Sequence, residues 1–331
     1  MVFHTLIIQL SSSRIFAQDI QFGQVYNNPL YLNPALTGLS TYTRAFAYNR
    51  TQWYNLDSKY LTYQAGADHF FSDYNSAVGG YVLYDQQGSS VLRSYEVQLQ
   101  YAYELPVSER LVLRAGLQPG LVSKVLDYST LVFPDQLDAN GGFSSTQANV
   151  ADYNQRVNYL DMSSGIMAYN TKWWVGFSAN HMNEPRQSFI LNNSRLPAKF
   201  SIIGGYKKRL KSSSEHESSI TPTIYYKSQG TSDQLDMGIY GIHQKHIASL
   251  WYRGLPVVKK YNPGLQNHES VIVMYGYKFP LLQACYSYDF TISKLSRAGT
   301  GGVHEISLIY YFKRSTTKKP MKTLPCPELK D

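Results

Sequence analysis

The sequence predicts an all-β chain that crosses a membrane as a closed barrel of about 14 antiparallel strands. Three observations predict it. Aromatic residues are abundant while charge is scarce: 29 Tyr and 14 Phe among 331 residues, with 16% charged, where average usage is about 25% charged. No segment approaches the roughly 18 consecutive apolar residues of a membrane helix. From about Thr41 onward the apolar residues recur with a period of two, strand after strand, and no 3.6-residue period runs long enough for a core helix. On composition alone, a soluble β-sandwich or propeller stays open.

The first 17 residues, MVFHTLIIQLSSSRIFA, have a short apolar centre from Leu6 to Leu10, then Ile15-Phe16-Ala17. This reads as a secretory signal cleaved after Ala17. No Lys or Arg precedes the apolar centre and Gln9 interrupts it, so a soluble N-terminal helix is the alternative. Residues 18–40 form a second unit built around Asn28-Pro29 and Asn33-Pro34. Each Pro removes a backbone donor and restricts the residue before it, which excludes a regular helix and marks a fixed, folded segment. Asn28, Pro29, Asn33 and Pro34 are therefore candidate partner-binding residues, on a plug or a periplasmic docking element. The other reading is a structural cap that closes the barrel's lower mouth.

The barrel proper is expected over residues 41–313, with strands near 41–53, 58–71, 76–85, 91–104, 109–122, 157–169, 172–182, 198–209, 217–228, 233–243, 246–253, 268–279, 282–293 and 302–313. The clearest strand is Val91 to Glu104. One face carries Tyr95, Val97, Leu99, Tyr101 and Tyr103, the other Ser94, Glu96, Gln98, Gln100 and Ala102. Tyrosines that run to the strand ends are what an interfacial aromatic girdle requires.

Connection lengths sort by parity. After even-numbered strands they are short or compact: Ser72 to Asn75, Leu105 to Ser108, Asn170-Thr171, Leu210 to His216, Gln244-Lys245 and Pro280-Leu281. After several odd-numbered strands they are long: Ser123 to Arg156, Asn183 to Pro197, Gly254 to Asn267 and Lys294 to Gly301. Short turns at one end and long loops at the other are the layout of an outer-membrane barrel, turns in the periplasm and loops outside. An even strand number puts both termini in the periplasm. The closing strand places Ile306, Leu308, Tyr310 and Phe312 on one face, and residues 314–331 follow as a basic periplasmic tail. Trp173-Trp174, beside the turn Asn170-Thr171, reads as an anchor at the periplasmic interface, with a sugar-stacking site as the sharper alternative.

Chemistry-bearing motifs are sparse. His216-Glu217, His268-Glu269 and His304-Glu305 each lack the second His of a zinc protease helix, and no nucleophile elbow, phosphate loop or dinucleotide fingerprint is present. Asp135, Asp138, Asn140 and Gly141 resemble a calcium loop but have no closing Glu. Cys285 and Cys326 are too few and too unevenly placed for a disulfide framework. The net charge of +8 is scattered except at Lys207 to Lys211 and in the tail, so both clusters read as exposed turn or tail, not a nucleic-acid surface. The expectation is a non-enzyme with no cofactor and no metal. Solute transport is the competing function class.

Several phrases resemble the PorP/SprF family of type IX secretion membrane proteins. They are Asp19-Ile20-Gln21-Phe22-Gly23-Gln24 with Asn28-Pro29-Leu30-Tyr31-Leu32-Asn33-Pro34-Ala35-Leu36-Thr37-Gly38; Phe133-Pro134-Asp135-Gln136-Leu137; Val175 to His181 with Pro185; Tyr288-Asp289; Gly302 to Leu308; and Cys326-Pro327. The similarity runs in order from about Asp19 to Phe312. It implies an outer-membrane barrel that serves type IX secretion and gliding motility. By the same resemblance, the partners are a secreted adhesin or its C-terminal domain, or the secretion machinery including periplasmic ring lipoproteins, with the wall seated in outer-membrane lipid. Phe133, Pro134, Asp135 and Gln136 lie in the longest loop, which is far longer than an ordinary connection. With the loops at Asn183 to Pro197 and Gly254 to Asn267 it is expected to form a cargo-holding surface, or simply a lid over the lumen.

Overall fold

The structure, a computed structural model, describes residues 19–40, 42–56, 60–88, 91–128, 155–189, 194–213, 216–230, 232–255, 269–292 and 299–312. The strands are β1 (Arg44–Gln52), β2 (Tyr60–Phe71), β3 (Ser76–Gln87), β4 (Leu92–Ser108), β5 (Leu111–Leu126), β6 (Arg156–Tyr169), β7 (Trp173–Asn180), β8 in two pieces (Lys199–Tyr206 and Lys208–Ser213), β9 (His216–Gln229), β10 (Ser232–His243), β11 (His246–Leu255), β12 (Ser270–Lys278), β13 (Leu282–Thr291) and β14 (Val303–Tyr311). Each pairs antiparallel with its neighbours, and β14 pairs back onto β1 from Arg44↔Tyr311 to Gln52↔Val303. The sheet is thus a closed 14-strand barrel in which each strand has a neighbour on both sides, so backbone groups pair within the wall. No helix among the described residues is long and apolar enough to cross a membrane.

The wall is inside out relative to a soluble protein. On β4 the apolar face is the exposed one, from Tyr95 through Val97, Leu99 and Tyr101 to Tyr103, while Ser94, Gln98, Gln100, Ala102 and Glu104 are buried in the lumen. Leu117 and Leu121 on β5, Leu160 and Ile166 on β6, and Ile306 and Leu308 on β14 continue the exposed apolar band. Eight residues separate Tyr95 from Tyr103, roughly 27 Å along the strand. Aromatics rim the band at both ends. Tyr63, Tyr84 and Tyr95 sit side by side at the loop end, with ring centroids 6.4 and 5.1 Å apart, and Phe71, Tyr103, Trp173 and Tyr310 lie at the turn end, all exposed.

Three strands outrun their sequence signal. β4 continues through Leu105 to Ser108, so the turn is Glu109-Arg110, and the ladder absorbs Pro106 with a bulge between Pro106 and Ser108. β5 continues to Leu126, so the predicted Ser123–Arg156 connection starts later. β8 resumes after Lys207 and pairs with β9 as far as Ser213↔His216, so Leu210 to Ser213 is ladder and not turn. Trp173-Trp174 divides across the wall, because adjacent strand residues point to opposite faces. Trp173 faces outward, whereas Trp174 is buried in the lumen beside Tyr26, not at the interface.

Candidate functional site: a plugged lumen with a loop-end chamber

Residues 19–40 lie inside the barrel. Asp19 meets His181, which directly follows β7, and Lys199, which begins β8, both at the loop end, whereas Gly38 meets Asp68 near the turn end of β2. The segment therefore threads the lumen from the loop end to the turn end before entering β1. Both ends of the wall, Arg44 and Tyr311, sit at the turn end, but the first described residue of the plug does not.

The prolines set the plug's shape. Pro29 opens the single α-turn Pro29–Leu32, and Pro34 opens the 3₁₀ turn Pro34–Leu36, positions where a missing N–H costs nothing. Asn33 caps the second turn by accepting from the Ala35 N–H at 2.9 Å. Its Nδ2 also donates to the carbonyls of Ile166 and Phe177 on β6 and β7. Asn28 exchanges amide bonds with Gln64 on β2. Asn28, Pro29, Asn33 and Pro34 are thus buried against the wall and hold the plug within the barrel. The wall makes room with glycine: a Cβ on Gly165 would lie 1.8 Å from Asn33 Oδ1, and one on Gly116 would lie 2.4 Å from the Pro34 carbonyl carbon.

Charged wall residues fix the backbone of the plug at both depths. Glu305 on β14 accepts from the Gly23 and Gln24 N–H groups at 2.7 and 3.0 Å and pairs with Arg50 at 2.6 Å. Arg253 donates to the Phe22 carbonyl at 2.7 Å. Toward the turn end, Asp68 accepts from the Gly38 N–H at 2.6 Å while pairing two-pronged with Arg44. Gly38 has φ +64 and a Cβ there would meet Ala77 at 2.5 Å, so the position demands glycine. Arg114, paired with Glu104 at 2.8 Å, donates to the Thr37 carbonyl. Leu30, Ala35 and Thr37 have no exposed surface.

The loop-end stretch is built differently. Asp19 Oδ2 lies 2.9 Å from His181 Nε2 and 2.5 Å from Lys199 Nζ, and His181 Nδ1 lies 2.9 Å from Asp161. Lys227 donates to the Gln21 side chain at 3.0 Å. Burial would raise the Asp19 carboxyl, but the charges of His181 and Lys199 hold it well below the usual carboxylate range. Burial would lower the His181 imidazole, yet the facing carboxylates of Asp19 and Asp161 push it up to about 9. Two cavities flank this tether. One, of about 80 Å³, lies between Phe22, Tyr31, Tyr225 and Lys227. The other, of about 70 Å³, lies between Tyr81, Glu96, Lys124 and His181.

An Asn-Pro plug thus occupies the polar lumen of a 14-strand wall. The family model for type IX secretion system membrane protein PorP/SprF matches residues 15–310, a span that contains the plug and reaches into the last strand. The chain belongs to the PorP/SprF family. As a PorP/SprF barrel with an apolar outer band, it is an outer-membrane protein of the type IX secretion system. No curated protein matches its sequence. Similar solved structures include the Ralstonia pickettii toluene transporter TbuX, at 13% identity over 87% of this chain and 94% of that one, TM-score 0.48. The Pseudomonas putida toluene transporter TodX shows 9% identity over 87% and 95%, TM-score 0.49. A Pseudomonas aeruginosa FadL homologue shows 12% identity over 87% and 95%, TM-score 0.45.

Of the candidate partner-binding residues, Phe133, Pro134, Asp135 and Gln136 lie outside the described residues, as do the calcium-like loop, the signal segment and the tail. Among the described residues no group of three or more His, Cys, Asp or Glu is placed to hold a metal ion. The sequence pattern does not reveal the loop-end tether, because Asp19, Asp161, His181 and Lys199 come from four stretches well separated along the chain. The one local signal was His181, an ionisable residue closing the strand-like phrase Val175 to His181.

Proposed function

We propose that this PorP/SprF barrel is a non-enzymatic, plugged anchor in the outer membrane. Its wall holds the loop-end surface toward a secreted adhesin or that protein's C-terminal domain, assisting export or retaining it at the cell surface during gliding. Its turn end faces the periplasmic ring lipoproteins of the secretion machine. The observation that supports this reading is the seating of residues 19–40. The plug is bonded to side chains from most of the wall's strands, and such a wall is suited to rigidity, not to passing a solute.

The test is to purify the intact, tagged protein from detergent-solubilised outer membranes of its host and to identify co-purifying proteins by mass spectrometry. Recovery of one large secreted protein through its C-terminal domain supports the adhesin role, and recovery of ring lipoproteins supports the machine role. Recovery of neither with an intact barrel, together with solute uptake after reconstitution, would overturn the reading in favour of transport.

A further inference from the structure

The turn-end rim is electrically lopsided. From β7 to β12 it carries Lys172, Lys208, Arg209 and Lys245, all exposed, with Lys278 half-buried beside them. These positions fall in two neighbouring groups around the rim, Lys172 with Lys208 and Arg209, and Lys245 with Lys278. The Lys207 N–H donates to the Lys172 carbonyl at 2.6 Å and the Lys278 N–H to the Lys245 carbonyl at 2.8 Å, so neighbouring strands bring one cation after another to the same level. In the sequence around these turns two carboxylates, Glu215 and Glu217, stand against Lys172, Lys207, Lys208, Arg209, Lys211, Lys245 and Lys278, so the arc is net basic. The facing sector, from β2 to β5, carries exposed Asp73, Glu109 and Arg110 instead.

The basic arc also sits at a defined depth. Trp173 pairs directly with Tyr206 across β7 and β8, both exposed on the outer face, and Lys172 and Lys208 flank this pair along the chain. Around the wall, Tyr275 and Phe279 are exposed near Lys245 and Lys278. Amphipathic aromatics of this kind settle at headgroup level. A cation one or two residues beyond them lies where lipid phosphates lie, and Lys and Arg side chains extend readily to that layer.

We propose that the turn-end rim from β7 to β12 is a binding surface for the phosphate groups of anionic phospholipids in the adjoining leaflet, and that the β2–β5 sector is not. Charge complementarity and depth select the lipid over a protein partner. The surface would hold an annulus of anionic lipid on one side of the barrel.

The experiment uses the intact protein in nanodiscs containing equal phosphatidylglycerol and phosphatidylcholine, with the lipids retained after detergent release identified by native mass spectrometry. The expected result is preferential retention of phosphatidylglycerol that falls with salt and drops roughly fivefold for each cation removed in the series Lys208→Gln, Arg209→Gln and Lys245→Gln. The double variant Asp73→Asn with Glu109→Gln should leave the preference intact. All five positions are exposed, and heat-modifiable gel migration verifies that each barrel is folded. Equal retention of the two lipids by the wild type, or an undiminished preference in the triple variant, would overturn the proposal. Loss of a co-purifying acidic protein from the triple variant with lipid preference unchanged would also overturn it and assign the arc to that protein.

Discussion

The two ends of the plug are held by different physics. Toward the turn end, Asn27 to Ser40 is buried except for half-buried Tyr31 and Leu32, and is held by neutral amides, by the buried pairs Asp68–Arg44 and Glu104–Arg114, and by wall glycines that admit close approach. Toward the loop end, Asp19 to Gln21 is only half-buried, tethered by the long side chains of Lys199 and Lys227 and by His181, and flanked by two cavities. Close packing and short bonds from fully buried partners resist any small displacement, because interiors at crystal-like density do not deform continuously. Long charged side chains beside cavities can follow a displacement or release it. The turn end is therefore a seal and the loop end a latch, and a barrel built this way can respond at its loop end without opening through.

The largest effect should come from the seal. Asp68→Ala leaves the buried Arg44 guanidinium without its partner and removes the acceptor for Gly38. A loss of about 3–5 kcal/mol is expected, read as a lowered urea midpoint of the folded barrel in lipid. Next comes Gly165→Ala, whose new methyl would collide with Asn33 and force the plug from its groove, costing about 1–3 kcal/mol. It should also expose residues 27–40 to hydrogen exchange. Asn33→Ala removes side-chain bonds while leaving the ladder carbonyls paired within the sheet, so about 1 kcal/mol is expected.

The latch should behave otherwise. Asp19→Asn should leave the global midpoint nearly unchanged while speeding hydrogen exchange at Ile20 to Gln24, because opening there is local. If the midpoint fell as far as for Asp68→Ala, the distinction between seal and latch would be wrong. The latch also has a pH signature. His181 is raised from 6.5 to about 9 in the folded chain, so its contribution is complete below 6.5 and is lost as pH rises through about 9. The protection factors at Ile20 to Gln24, exchange corrected for its intrinsic pH dependence, should therefore fall over that window and stay level in His181→Gln, with Asn33 protected throughout.

How far the sequence reached follows the same division. Strand positions and the parity of the connections were legible because a membrane wall writes period two on every strand, as from Tyr95 to Tyr103. Pro106 and the Lys207 to Lys211 cluster misled the boundaries, since both look like turn chemistry while the ladder tolerates them through bulges. The prolines announced a fixed segment at Asn28 to Gly38, but its path up and down the lumen depends on partners such as Gln64, Glu305 and His181, which local pattern does not pair with it. Polar lumen residues carry no hydrophobic period, so the chamber was invisible until the wall had closed.

The most direct measurement of the plugged-anchor account is the current through single molecules of the intact protein in planar bilayers, compared with Asp68→Ala. The account predicts that the wild type inserts without steady conductance at any moderate voltage, while Asp68→Ala shows frequent transient openings. Steady conductance by the wild type, unchanged in Asp68→Ala, would contradict it.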